Sequence, residues 1–306
     1  VVARKYTIQS GTLRSFAPLF ADRTSIGQLD LAARIPRIIF FLSESKEDEQ
    51  LFIDSVVGSF SNQDLVVLVP NGEQTREVVG EALALEQVEC TSQELNTDPV
   101  ALREYRDTYE VALSHESNIL SLMLENPQCN QWFWRDEKLE IDTKRKLQEA
   151  LSLVLSNVYH ATPVFKNELI NRDKTSAQAN SARNKLIFAL VNHQNEEDLG
   201  IEKFPAEKSI YRAVLKATGL HAKNNQGNWE LAKSEDFEQG EDPYNLTPLW
   251  RRIDSFLTET EHSPCSMVEL NKELFAPPYG IKEGMLPLLY SVAMLAYSDE
   301  LAITED

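Results

Sequence analysis

The sequence predicts an α+β fold, predominantly helical, with a small N-terminal α/β unit followed by helical and winged-helix-like units. Three observations predict it. Two continuous apolar, β-rich runs, Ile38 to Leu42 and Asp64 to Val69, alternate with helical patterns in residues 1–96. That order suits a parallel pair joined by crossover helices. Helical periodicity then dominates residues 97–232. In residues 246–306 the order is helix, helix, turn, helix, strand, which is that of a winged helix.

Each element has its own reason. Lys5 to Gln9 alternates and reads as a strand. Ile38 to Leu42 reads as a buried strand. Glu47 to Phe60 carries apolar positions suited to an amphipathic helix. Asp64 to Val69 is the second strand, closed by Pro70-Asn-Gly72, and Gln74 to Gln87 is a helix rich in Ala, Leu and Glu. Val100 to Leu124 is one long helix with Asp98 as its N-cap. The Trp132-Phe-Trp134 cluster reads as an aromatic plug at a domain junction, and base stacking is its functional alternative. Helices follow at about 142–158, 166–172, 176–192 and 206–218, the last ended by Gly219. Lys223-Asn-Asn-Gln-Gly-Asn228 reads as a polar turn, and the acidic, breaker-rich residues 233–245 read as a linker. Leu249 to Glu259, Ser266 to Phe275 (capped by Ser263 or Ser266) and Lys282 to Tyr297 are the last helices. Leu301 to Thr304 is the last strand.

Composition narrows the class. The chain has 306 residues, 42% of them hydrophobic and 25% charged, with 11 Gly and 13 Pro, which excludes collagen, a coiled-coil rod and wholesale disorder. Its 30 basic and 48 acidic residues give −18, so non-specific nucleic-acid binding by the whole surface is disfavoured. The basic residues are not evenly spread: residues 1–43 carry net +4. Cys90, Cys129 and Cys265 are far apart and form no CxxC, so they read as structural thiols in a reducing, cytoplasmic setting. The apolar runs are too short to span a membrane, no signal peptide is evident, and the sequon Asn245-Leu-Thr247 reads as accidental. The chain begins without Met inside one expected strand and stops inside another, so a piece of a longer protein is expected.

No GxxxxGK[ST], GxGxxG, HExxH or GxSxG occurs. No catalytic residue, metal ligand or cofactor is therefore assigned to this chain. His115 beside Glu116 reads as a surface residue rather than a general base. Asp54, Asp64 and Glu81 are the only carboxylates singled out as a metal-dependent nuclease set, and no motif marks them. Residues 162–185 hold five basic and two acidic residues. In that stretch Asn167 and Asn171, and Glu168 and Arg172, stand at i, i+4 spacing and could share one polar face. A helix, a turn at Asp173-Lys174 and a second helix could read DNA, with Arg172, Lys174, Arg183 and Lys185 as contacts. A packing network at a domain or subunit junction accounts for the same residues.

Four elements together resemble a known family. They are Ser10-Gly-Thr-Leu-Arg-Ser-Phe16; Lys166-Asn-Glu-Leu-Ile-Asn-Arg172 with Ala182-Arg-Asn-Lys-Leu186; the run through Leu199-Gly-Ile-Glu, Pro205 to Tyr211 and Leu215 to His221; and Leu274 to Pro287. The set resembles the region downstream of the nucleotide-binding core in large bacterial anti-phage defence ATPases, such as the BrxC/PglY ATPases of BREX-like systems. The resemblance implies a cytoplasmic ATPase system in which ATP and Mg²⁺ are bound by another part of the parent protein, since no Walker A motif is present here. It implies partners among other defence proteins or the rest of the same chain, with DNA as a further partner and no membrane. On it, Arg14, Asn167, Glu168 and Arg172 are candidates for nucleotide sensing or for a junction. The expected function is non-catalytic regulation and scaffolding, and the alternative is a DNA-binding winged-helix module.

Overall fold

A computed structural model describes residues 1–30, 35–56, 59–92, 95, 97–238, 241–260 and 265–299. The chain is α+β and predominantly helical, with 56% helix and 11% strand. It divides into two compact units, Val1–Ala3 with Ser15–Leu155, and Arg4–Arg14 with Ser156–Asp306.

The first helix, α1 (Arg4–Ser10), belongs to the second unit. The first unit is built on a five-stranded sheet of β1 (Ala17–Ala21), β2 (Arg37–Leu42), β3 (Asp64–Val69), β4 (Gln131–Trp134) and β5 (Glu137–Leu139), in that spatial order. The strands β1, β2 and β3 run parallel, while β4 and β5 return antiparallel. Every residue of β2 and β3 is buried, which is why their sequences are continuous apolar runs rather than alternating ones. Phe41 stacks on Phe52 at 4.7 Å, and Phe52 meets Phe133 edge-on at 5.8 Å. At the start of the parallel pair Arg37 faces Asp64 in register. Its Nε and Nη2 donate to the two Asp64 oxygens at 2.9 and 2.7 Å, and Nη1 donates to the Asp30 carbonyl at 2.7 Å. The hydrogen-bonded carboxylate raises the Arg37 guanidinium above its usual value, against burial.

Between β2 and β3 lie α2 (Lys46–Leu51), capped by Ser45, and a π-helical turn at Phe52–Val56. Between β3 and β4 lie α3 (Glu73–Thr91) and α4 (Pro99–Glu125), with Asp98 Oδ1 accepting from the Val100 and Ala101 amides. The helix α5 (Lys144–Val158) follows, and the division between the units falls within it.

The second unit contains α6 (Ala177–His193), α7 (Ala206–Ile210) continuing as a π-helical turn at Tyr211–Lys216, and a hairpin of β6 (His221–Lys223) and β7 (Trp229–Leu231). It is completed by α8 (Ser234–Glu238), α9 (Thr247–Glu259), α10 (Met267–Phe275) and α11 (Leu286–Ala296). Leu186, Leu190, Tyr211, Trp250, Leu274 and Leu289 belong to one apolar core here. Proline at the first turns of α9 and α11 costs no helical hydrogen bond.

Several expectations are corrected. Residues 5–9 are helical, not extended: Tyr6 and Ser10, one turn apart, are buried while Ile8 is exposed. Residues 166–172 form turns instead of a helix, because Asn167 Oδ1 accepts from the Leu169 and Ile170 amides and offers the backbone an alternative partner. Trp132, Phe133 and Trp134 form the buried strand β4, with the indole N–H groups donating to the Pro127 and Asn62 carbonyls at 2.8 and 2.9 Å. The expected linker contains α8, and Asp242 within it accepts from the Leu246 and Thr247 amides at the start of α9. Ser266 caps α10. The strand expected at 301–304 lies outside the described residues.

Candidate functional site

Three of the four sequence elements that carry the family resemblance meet in the second unit and close into one knot. Its first thread is the turn after α1. Gly11 takes a positive φ of +70°, and a Cβ there would strike the Phe165 carbonyl. That carbonyl, the Gly11 carbonyl and Thr12 Oγ1 all accept from Asn171 Nδ2, each at 3.0 Å. Asn171 is buried, so the two hydrogens of its amide are shared among three acceptors.

Arg14 is the second thread. Its side chain runs inward and is only 8% exposed. Nη2 donates to the Gly280 carbonyl at 2.5 Å and to Thr162 Oγ1 at 3.4 Å. The guanidinium carbon lies 3.5 Å from the centroid of the Tyr159 ring. Thr162 Oγ1 in turn donates to the Tyr279 carbonyl. Gly280 has φ +58°, and a Cβ there would collide with the guanidinium and with Tyr159. Burial pushes the Tyr159 phenol up, and the Arg14 charge pulls it back. Arg14 Nε is buried without an acceptor, and among the described residues no carboxylate pairs with this charge. Carbonyl, hydroxyl and ring face carry its compensation.

The third thread joins the α6 region to the Leu274 to Pro287 element. Arg183 Nη1 donates to the Gly284 carbonyl at 3.1 Å, and the Gly284 amide donates to the Arg172 carbonyl at 2.9 Å. Lys282 Nζ pairs with Asp173 at 2.6 Å. Burial lowers the Arg183 guanidinium, with Glu283 opposing.

The candidate residues thus divide. Arg14, Asn167 and Asn171 are interior locks, and Arg183 is half-buried and committed to Gly284. Arg172 is exposed and holds Glu168 at 3.5 Å, so that i, i+4 pair forms on the surface, whereas the Asn pair faces inward. Lys174 and Lys185 are exposed. Lys185 lines a shallow depression of about 670 Å³ on α6 with Ala177, Asn180, Ser181, Asn184 and the exposed Phe188. Tyr159 and Thr162 belong to the knot and carry no signal that sequence reading isolates, whereas Gly280 lies in the Leu274 to Pro287 element.

The carboxylates weighed as a nuclease alternative do not assemble. Asp64 is spent on Arg37, Asp54 is exposed and holds Gln50 Nε2 at 2.8 Å, and Glu81 is exposed on α3. Among the described residues no three His, Cys, Asp or Glu side chains are placed to hold a metal ion. Cys90 and Cys129 are exposed, which corrects their reading as structural thiols. His115 is exposed on α4, and His221 is buried between Tyr211 Oη (2.8 Å) and the Gln194 carbonyl (2.7 Å). No helix of the described residues is long and apolar enough to cross a membrane. No known family, curated protein or solved structure matches this chain.

Proposed function

We propose that this chain is a regulatory and scaffolding region of a larger ATPase, of the phage-defence type that its motifs resemble, and that it docks other subunits or the rest of its parent. The knot supports this reading. The residue types that make the resemblance specific (Arg14, Asn171, Arg183, Gly280 and Gly284) hold one another instead of presenting groups to a substrate. They give a rigid platform, and α6 exposes Lys185 and Phe188 from it. An exposed aromatic beside a cation on a supported helix suits protein docking.

A second reading has its own observation. Lys174 precedes α6 and Lys185 lies midway along it, beside Asn180 and Asn184 on one depression, so the helix and the winged-helix-like unit could meet duplex DNA. One pair of assays tests both. The chain should co-elute with the separately expressed nucleotide-binding core of the parent ATPase, and Phe188→Asp should abolish that. Duplex DNA titrated at low salt should bind weakly or not at all. Failure to co-elute, combined with micromolar duplex binding lost in Lys185→Glu and steeply salt-dependent, overturns the docking reading in favour of the DNA module.

A further inference from the structure

A second surface in the same unit carries chemistry that neither reading uses. Lys208, Arg212 and Lys216 follow one another at four-residue spacing along α7 and its π-helical continuation, so they share a face. All three converge on one carboxylate: Asp198 lies 3.2 Å from Lys208 Nζ, 3.5 Å from Arg212 Nη2 and 2.7 Å from Lys216 Nζ. Glu197 reaches Lys216 only at 3.9 Å. Three cations thus face Asp198 and, at longer range, Glu197. Asp198 and Leu199 both take left-handed backbone, φ +51° and +54°, a strained state for non-glycine residues. The cations hold Asp198 from outside while the buried Leu199 plugs the core.

The loop pinned this way turns Phe204 outward. Phe204 is 82% exposed, the highest value among the exposed large apolar side chains. It is not an isolated surface ring. The Arg212 guanidinium carbon lies 5.2 Å and Lys208 Nζ 6.0 Å from its centroid, and it borders a depression of about 470 Å³ that Ser209 and Ala213 also line. A flat ring face beside a half-exposed guanidinium, over a small floor of Pro205, Ser209 and Ala213, matches a flat aromatic that carries an anion.

We propose that this depression binds an unpaired nucleobase together with its phosphate, the base stacking on Phe204 and the phosphate on Arg212. Single-stranded nucleic acid and free mononucleotide share that chemistry. Glu202 and Glu207 stand in the same segment and oppose a polyanion, so binding should be weak, with the modest salt slope of one phosphate contact. The proposal does not depend on the docking reading, because α6 takes no part in it.

The test is fluorescence anisotropy of a labelled twelve-residue oligothymidine against the whole chain from low to moderate salt, with a twelve-base-pair duplex and AMP as further probes. Phe204→Ala should weaken oligothymidine binding about 5- to 150-fold, the range one stacked base supplies. Arg212→Gln should weaken it and flatten the salt slope by about 0.7. Glu202→Gln with Glu207→Gln should tighten it. Both Phe204 and Arg212 are exposed, so far-ultraviolet circular dichroism should match the parent chain in these variants. AMP binding that responds to the same variants, without oligothymidine binding, identifies the mononucleotide as the source. The proposal is overturned if neither probe binds at low salt, if duplex binds as well as oligothymidine, or if binding falls in Lys185→Glu but not in Phe204→Ala.

Discussion

Each unit of this protein buries a guanidinium, and the two do so in opposite ways. In the sheet unit Arg37 meets a carboxylate: Asp64 takes two hydrogen bonds at 2.9 and 2.7 Å across the parallel pair. In the helical unit Arg14 meets a carbonyl, a hydroxyl and a ring face, and no carboxylate among the described residues. The surroundings differ in the same sense. The sheet unit holds 12 basic and 25 acidic residues, and the helical unit 18 and 23. Within the helical unit, residues 4–14 and 156–195 hold eight basic and two acidic residues. A buried ion pair fixes strand register by mutual need. A buried charge held by neutral groups fixes loops while keeping its field. That field adds to the cations of the α6 region.

The largest expected effect breaks the ion pair. Asp64→Ala leaves the Arg37 charge buried without its partner, which should cost roughly 3–5 kcal/mol. The double change Arg37→Leu with Asp64→Leu should recover most of that, because both charges leave together. Amide hydrogen exchange over β2 and β3 reads the loss locally. A cost below about 1 kcal/mol for Asp64→Ala would show that the pair is dispensable, and the contrast between the units would lose its first half.

Arg14→Met sharpens the contrast from the other side. It strands no opposite charge. It leaves the Gly280 carbonyl without a donor, while Thr162 still donates to Tyr279. The expected cost is about 1–3 kcal/mol, smaller than for Asp64→Ala. The loss should appear as faster exchange in the loops at 160–172 and 278–284. A cost equal to that of Asp64→Ala would mean that Arg14 does balance a carboxylate in solution.

What the sequence revealed follows the same physics. Strands β2 and β3 were legible because both faces are buried, which forces unbroken apolar runs. The caps Asp98, Ser176 and Ser266 were legible or lay at the expected helix starts, because short polar side chains serve the free amides there. Strand β1 was not legible: Ala-Pro-Leu-Phe-Ala is short, and its Pro18 stands on an edge strand. The knot was half legible. Asn167 with Asn171 and Glu168 with Arg172 stood out by spacing, but spacing suggested a helix, and two of the three Asn171 contacts, Gly11 and Thr12, lie about 160 residues away in the chain. Long-range partners leave no local pattern. The Lys208, Arg212 and Lys216 spacing was visible in the sequence, yet its meaning rests on Asp198, whose left-handed backbone no residue type announces.

The smallest expected effect separates the units by salt. Two carboxyls sit far below their usual value, each at about 2, for different reasons. In the sheet unit burial pushes Asp22 up, and the hydroxyls and amides of Thr24 and Ser25, at 2.7–2.9 Å, outweigh it. In the helical unit Lys216 and then Lys208 hold Asp198 down against burial. Both folded values lie below the ordinary 3.8, so each carboxyl contributes stability that is present above about pH 4 and is lost as pH falls toward 2. Neutral donors are barely screened, whereas the exposed cations Lys216 and Arg212 are, since the Debye length falls from roughly 10 Å at 0.1 M salt to about 3 Å at 1 M. Carbon-detected NMR titration in 0.05 and 1 M salt should therefore move Asp198 upward by roughly half a unit or more while Asp22, whose pairing with Arg76 is long at 4.0 Å, stays within a few tenths. Equal movement of both would show that Asp22 is held by charge as Asp198 is, and the chemical contrast between the two units would not extend to their surfaces.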